Sequence, residues 1–183
     1  MFIDLSLANQ SHLLASVDSS DHNQAVMKLG HYGTHLDTYL RTSVPLEFTR
    51  SRGVMIDISP FSRERAVELA DVPLDRIRPG DFVLFHTGAL LRHQYASQDY
   101  FHELGEPSWE LIDTLCALPV RFIGIDIHGI RMREEHGQAD RPCEEKGVYV
   151  IENINNSQLL PRKEAFTIST PCFDPGGGRL PGR

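Results

Sequence analysis

Apolar and polar positions alternate along Phe2 to Leu7 as they do in a half-buried strand, and several later runs are apolar without interruption. Ser16 to Gln24 is rich in Ser, Asp and Asn and reads as a loop, after which Ala25 to Leu29 resumes an extended pattern. Gly53 to Ser59, with Val54, Met55, Ile56 and Ile58, predicts a buried strand closed by Pro60. Ser62 then reads as the cap of a helix through Ala70, with Glu64 and Glu68 favourable near its start. A strand over Phe82 to Phe85 follows the Pro79-Gly80-Asp81 turn. Glu106 to Leu118 carries the clearest helical period: Pro107 and Ser108 mark its start, and Trp109, Ile112, Leu115 and Cys116 recur at helical spacing. Phe122 to Ile127, Val148 to Ile151 and Ala165 to Ser169 supply further strands. Strands with intervening helices predict an α/β domain with a mixed central sheet.

The chain of 183 residues suits one domain over 1–183, long enough to bury a core without disulfides. Its formal charge of -7 argues against a nonspecific grip on nucleic acid, which needs basic side chains. No apolar run approaches the ~18 residues of a membrane span, and Met1 to Gln10 lacks a leader pattern, so a cytoplasmic protein acting on a small molecule is expected. Cys116, Cys143 and Cys172 are too few and too scattered for a disulfide framework; Cys116 reads as packing and Cys143 as a poor nucleophile.

The stretch His31-Tyr32-Gly33-Thr34-His35-Leu36-Asp37 changes the picture, because it gathers two imidazoles and a carboxylate around a glycine. Such donors bind a divalent cation such as Zn2+ at about 2.0 to 2.2 Å, and catalytic sites leave a position open for water. On a helix, Asp37 would point away from His31 and His35. In an extended or looped segment all three share one parity, and Gly30 and Gly33 favour that arrangement. Three unrelated polar residues on a solvated turn are the competing reading.

A short loop seldom closes a catalytic site, so a second polar group is expected from Asp126, His128, Glu134, Glu135, His136, Asp140 or Glu152. Glu152 ends an apolar strand, where a carboxylate can be aimed from a rigid element. Otherwise Glu152 merely ends a strand, and His136 with its acidic neighbours forms a solvated helix face.

Together, His31 to Asp37, Phe122-Ile123-Gly124-Ile125-Asp126 and Gly147-Val148-Tyr149-Val150-Ile151-Glu152-Asn153 resemble the cyclase family that includes bacterial kynurenine formamidase and isatin hydrolase. The tail from Gly178 to Arg183 also resembles that family's closing turn, with the final strand shortened or absent. The resemblance implies a swivelling β/β/α fold, a homodimer or homotetramer, one or two Zn2+ or Mn2+ ions, and metal-assisted opening of an amide-like bond. It further implies that His31, His35 and Asp37 bind metal, with Glu152 at the place of a later glutamate ligand.

Two positions depart from that pattern. The family continues H-x-G-T-H-x-D-x-P-x-H, whose last histidine serves acid/base catalysis, whereas this chain has Tyr39 and Arg41 at the last two defined positions. Arginine stays protonated and cannot be that base, although its planar fork can bind a substrate carboxylate. Twelve residues before Glu152 the formamidases place a histidine ligand, and here Asp140 stands instead, which moves preference toward Mn2+ or Mg2+. His136 is a substitute ligand or base, and this segment looks more like the cyclase-like branch than the formamidases proper.

The leading expectation is a metal-dependent hydrolase that opens an amide, lactam or lactone bond in a small, anionic substrate. Metal would be held by His31, His35, Asp37, Asp140 and Glu152; His136, His128 and His86 are candidates for proton transfer, and Arg41 for substrate binding. The alternatives are a metal-binding member without formamidase activity, because Arg41 replaces the usual histidine, and a structural oligomer with a degenerate site.

Overall fold

The computed structural model describes residues 1–7, 32–40 and 42–170. The readings made above for Ser16 to Gln24, Ala25 to Leu29, His31, Arg41, Cys172 and the tail lie outside these residues. Among them, six strands form one mixed sheet: β1 (His35–Leu36), β2 (Arg50–Asp57), β3 (Asp81–His86), β4 (Phe122–Ile125), β5 (Tyr149–Glu152) and β6 (Phe166–Ser169). The spatial order is β1-β5-β4-β3-β2-β6. The four central strands run parallel, and the edge strands β1 and β6 pair antiparallel with β5 and β2. This is the mixed α/β sheet that the sequence pattern predicts.

The uninterrupted apolar runs have a direct cause, since parallel strands are covered on both faces. Val54, Ile56, Val83, Phe85, Ile123, Ile125 and Val150 point to one face, where they meet Leu111, Leu115, Ala139 and Cys143. Alternate residues Met55, Phe82, Leu84, Phe122, Tyr149 and Ile151 point to the other, beside Ile154, Leu160 and Ile168. Four helices accompany the sheet among the described residues: α1 (Ala89–Arg92), α2 (Gln98–Phe101), α3 (Trp109–Ala117) and α4 (His136–Glu145). The cap of α3 is the expected one, with the Ser108 hydroxyl accepting from Leu111 N. Cys116 of α3 and Cys143 of α4 are both buried, their sulfurs 3.3 Å apart, so they pack the two helices together. Among the described residues no helix is long and apolar enough to cross a membrane.

Two predicted elements are absent. Phe2 to Leu7 forms no strand, because isolated bonds lace it to loops in place of a ladder: Asn155 N donates to Leu5 O at 2.9 Å, and Leu7 N to the Thr34 hydroxyl at 2.7 Å. The helix from Ser62 to Ala70 gives way to turns and a short 3-10 segment at Leu69–Asp71. Val67 is the reason. Its side chain is fully buried, and its N–H and C=O are taken by Glu106 O and Ser108 N, an extended pairing no helix can supply. Tertiary pairing thus overrides the local helical pattern.

Candidate metal centre

The carboxyl ends of the parallel strands carry Asp57, His86, Asp126 and Glu152 along one edge of the sheet, the edge at which open α/β folds bind ligands. Alternation divides these residues. Glu152 shares the helix-covered face with Val150, whereas His86 shares the opposite face with Leu84.

Around Glu152 three chain segments converge. The β1–β5 register sets His35 directly opposite Glu152, as a cross-strand pair. The loop before β1 is fixed by several ties. Gly33 has φ +70°, and a Cβ there would stand 2.9 Å from Leu7 O, so glycine is required. Gly33 N donates to the Tyr95 hydroxyl at 2.7 Å, and the Thr34 hydroxyl donates to Asn153 O at 2.6 Å. Asn153 in turn donates from Nδ2 to Gly33 O at 3.1 Å, while its Oδ1 accepts from Tyr100. The expected extended loop is therefore the observed one, and its Gly-Thr pair anchors it to the end of β5.

The third segment is α4, whose first residue is His136 and whose residue one turn later is Asp140, on the same face. His136 Nε2 lies 3.4 Å from Asp37 Oδ2, 3.3 Å from Asp140 Oδ2 and 3.3 Å from Glu152 Oε1. Four ligand atoms, one each from Asp37, His136, Asp140 and Glu152, lie within 4.8 Å of one another. His35 stands at the rim of this group. Its Nδ1 is 2.8 Å from Gly33 O, a carbonyl that can only accept, so Nδ1 carries the proton and Nε2 the lone pair. That Nε2 is 3.5 Å from Asp37 Oδ1 and 3.6 Å from Glu152 Oε2.

The three acids are 6% (Asp37), 3% (Asp140) and 2% (Glu152) exposed. No described residue donates a hydrogen bond to Glu152 Oε1 despite its burial. Burial pushes the Glu152 carboxyl well above the usual range; His136 pulls it down, while Asp140 and Asp37 raise it further. Burial draws the His136 imidazole down, but the Asp37 hydrogen bond and the charges of Glu152, Asp140 and Asp37 outweigh it and lift the group to about 9. Three buried acids around one imidazole are costly unless a cation compensates them. Oxygen and nitrogen donors converging in this way fit a divalent ion.

The other expected residues fall at different distances from this group. His128 is half-buried against the rings of Tyr100 and Phe101, with centroids 5.5 and 5.1 Å away. Burial, aided by the His136 charge, lowers it to about 4, and no described residue bonds its Nδ1. His86 stands apart on the other face, with Nδ1 2.8 Å from the Ser157 hydroxyl and 3.0 Å from Asp126 Oδ2. Asp126 also accepts from Thr87 N, the Thr87 hydroxyl and Gly88 N at 2.7, 2.6 and 2.9 Å, so it ties the β3 and β4 ends together. Sequence reasoning passed over Glu144, Gly129 and the tyrosines at 95 and 100; only their place in the fold links them to the site.

The two shifted histidines predict a stability profile for the ion-free protein. His128 is depressed below its unfolded value of about 6.5, so its contribution is whole above that pH and is lost as pH falls toward 4. His136 is raised, so its contribution is whole below about 6.5 and is lost as pH rises toward 9; the raised Glu152 acts in the same sense. Each limb is worth about 3 kcal/mol. Between about pH 4.3 and 6.5 the losses at Glu152 offset the gains at His128, so urea unfolding in chelator should change little there and fall from 6.5 to 9; stability that holds or rises over that last interval would contradict the His136 assignment.

The Cyclase family model matches residues 3–131 of this chain. The comparison with curated proteins returned no match. Among solved structures, isatin hydrolase A from Labrenzia aggregata superposes with a TM-score of 0.64 at 20% identity, over 80% of this chain and 69% of that one. Isatin hydrolase A from Ralstonia solanacearum gives 0.60 at 19%, over 72% and 62%. A predicted metal-dependent hydrolase from Bacillus stearothermophilus gives 0.56 at 22%, over 75% and 65%. The chain thus spans between 62% and 69% of the length of these structures, and at such identities the likeness is one of fold. With the family model matched from residue 3 to residue 131, and a like fold in those structures, the chain belongs to the cyclase family.

Proposed function

We propose that this protein is a metal-dependent hydrolase that opens an amide, lactam or lactone bond in a small substrate. The observation that carries this reading is the convergence of Asp37, His136, Asp140 and Glu152 donor atoms within 4.8 Å, with the three acids buried, at the carboxyl end of the parallel strands. These four residues would hold the ion, with His35 completing the set. The carboxylate-rich donors favour Mn2+ over Zn2+. When bound, such an ion polarises a carbonyl and brings the pKa of water toward neutrality.

The chain's own residues supply the rest. His35, with its proton fixed on Nδ1 by Gly33 O, presents a basic Nε2 to the centre. Lying among three acids, His136 acts as a ligand. Proton transfer falls to His128, which burial keeps neutral; with its pKa lowered to about 4 it is a weak base and holds a proton only transiently. His86 supports the sheet edge from the far face. Family members named isatin hydrolase support a cyclic amide as the first substrate to try.

Protein purified without added metal should retain about one divalent ion per chain by elemental analysis. His35→Ala should lose it while keeping its circular dichroism spectrum. A screen of isatin, N-formylkynurenine and small lactones with Mn2+ or Zn2+ then tests hydrolysis. A wild-type protein that neither retains nor takes up an ion sinks the reading. The second reading, a metal-binding member without formamidase activity, draws on Arg41 in place of the family's histidine; retained ion with no turnover of any of these substrates would favour it.

A further inference from the structure

Glu144 is buried on α4 two turns beyond His136 and one beyond Asp140, hence on the same side of that helix. Its carboxylate binds no ligand atom of the centre. It accepts instead from Tyr39 N at 2.6 Å and Leu40 N at 2.9 Å through Oε2, and from Thr42 N at 3.2 Å and the Thr42 hydroxyl at 2.5 Å through Oε1. Four donors on one buried carboxylate fix the backbone just beyond Asp37 to the helix that carries His136 and Asp140.

The side chain this clamp seats is Tyr39. Its ring lies on the first turn of α4: a Cβ built on Gly137 would stand 3.3 Å from Tyr39 Cε1 and 3.5 Å from its hydroxyl oxygen. Gly137 directly follows His136, so the phenol rides beside the centre. The Arg141 guanidinium lies 6.0 Å from the ring centroid. Tyr39 is half-buried, with its hydroxyl under the influence of Asp140, Asp37 and Glu152. A phenol is protonated at neutral pH, so the hydroxyl serves as a neutral donor.

We propose that Tyr39, seated by Glu144, donates a hydrogen bond to the substrate carbonyl oxygen as that carbon becomes tetrahedral. This inference rests on the hydrolase reading above and names a group that it left open. A fixed neutral donor stabilises the oxygen as negative charge develops on it, with no proton leaving the phenol. Tyr39 is then a catalytic residue, and Glu144 a positioning residue acting through it.

The test uses Mn2+-loaded wild type, Tyr39→Phe, Glu144→Gln and the double variant, with acetohydroxamate as an oxyanion-bearing probe followed by calorimetry. Tyr39→Phe should keep Mn2+ affinity within about twofold, weaken acetohydroxamate about tenfold, and lower kcat about 100-fold on the best substrate of the screen while KM changes little. Glu144→Gln should weaken the probe, and the double variant should bind it no more weakly than Tyr39→Phe alone. Unchanged probe affinity and kcat in Tyr39→Phe overturn the proposal but leave the hydrolase reading standing. Loss of Mn2+ from Tyr39→Phe also overturns it, since Tyr39 would then belong to the metal shell. A wild type that takes up no Mn2+ removes the hydrolase reading and this inference with it.

Discussion

Glu152→Gln is expected to abolish retention of a divalent ion and, in the same variant, to raise the thermal midpoint of the ion-free protein. The two effects share one cause. Glu152 is 2% exposed, faces His136 and lies near Asp37 and Asp140, and its carboxyl is pushed well above the usual range, first by burial. In the unfolded chain it ionises normally, so near neutral pH folding must either protonate it or bury its charge, and both cost free energy. Glutamine keeps the shape and removes that cost, while Asp37 and Asp140 still face the His136 imidazole, so the ion-free protein should gain stability. Each kcal/mol gained is roughly 2 to 4 °C in Tm for a domain of this size. Glutamine also lacks the charge that holds a divalent ion, so affinity should fall by more than the ~100-fold typical of losing a supporting outer group. Elemental analysis and a thermal scan in chelator measure the two halves separately. A variant that keeps its ion, or one whose ion-free form melts lower than wild type, would show that the acids are not strained toward a cation.

That trade of stability for binding was partly legible in the chain. His35, Asp37 and Glu152 could be named because their motif is compact and because Glu152 ends an apolar run. What sequence could not supply was register: a one-residue slip between β1 and β5 would turn His35 away from Glu152. The central strands were legible because both their faces are covered, which makes them apolar throughout. The errors came where long-range pairing decides conformation. Val67 looked helical among its neighbours, yet it pairs with 106–108 across the fold. Phe2 to Leu7 alternates correctly for a strand, yet its partners are loop groups. Asp126 and Asp140 both stood among the acids expected to supply the second polar group. The fold surrounds Asp126 with the Thr87 and Gly88 amides and the Thr87 hydroxyl, whereas Asp140 faces His136. Tyr39 was visible only as a departure from a motif, and Glu144 carried no signal, since its role depends on a loop about a hundred residues away.

Gly129 shows how far the centre depends on backbone that no motif marks, and Gly129→Ala is expected to damage it more than any other single methyl group. Its φ of +142° is a conformation that L side chains rarely adopt. A Cβ there would also stand 2.7 Å from Arg131 O and 2.7 Å from His136 Nδ1. The imidazole rests on bare backbone, and that contact turns Nε2 toward Asp37, Asp140 and Glu152. Alanine must therefore strain the main chain, at about 1 to 3 kcal/mol, and push the ring off its seat. The expected outcome is a lower Tm together with a loss of ion affinity of ~10- to 100-fold, the range seen when a ligand loses its orienting support. Gly147→Ala separates the two causes. Gly147 also has a positive φ, +74°, but a Cβ there meets nothing within 4 Å, so this variant should lose stability and keep its ion. Equal ion affinity in both variants would mean that the seat of His136 does not govern binding, and that the imidazole finds its place from the acids alone.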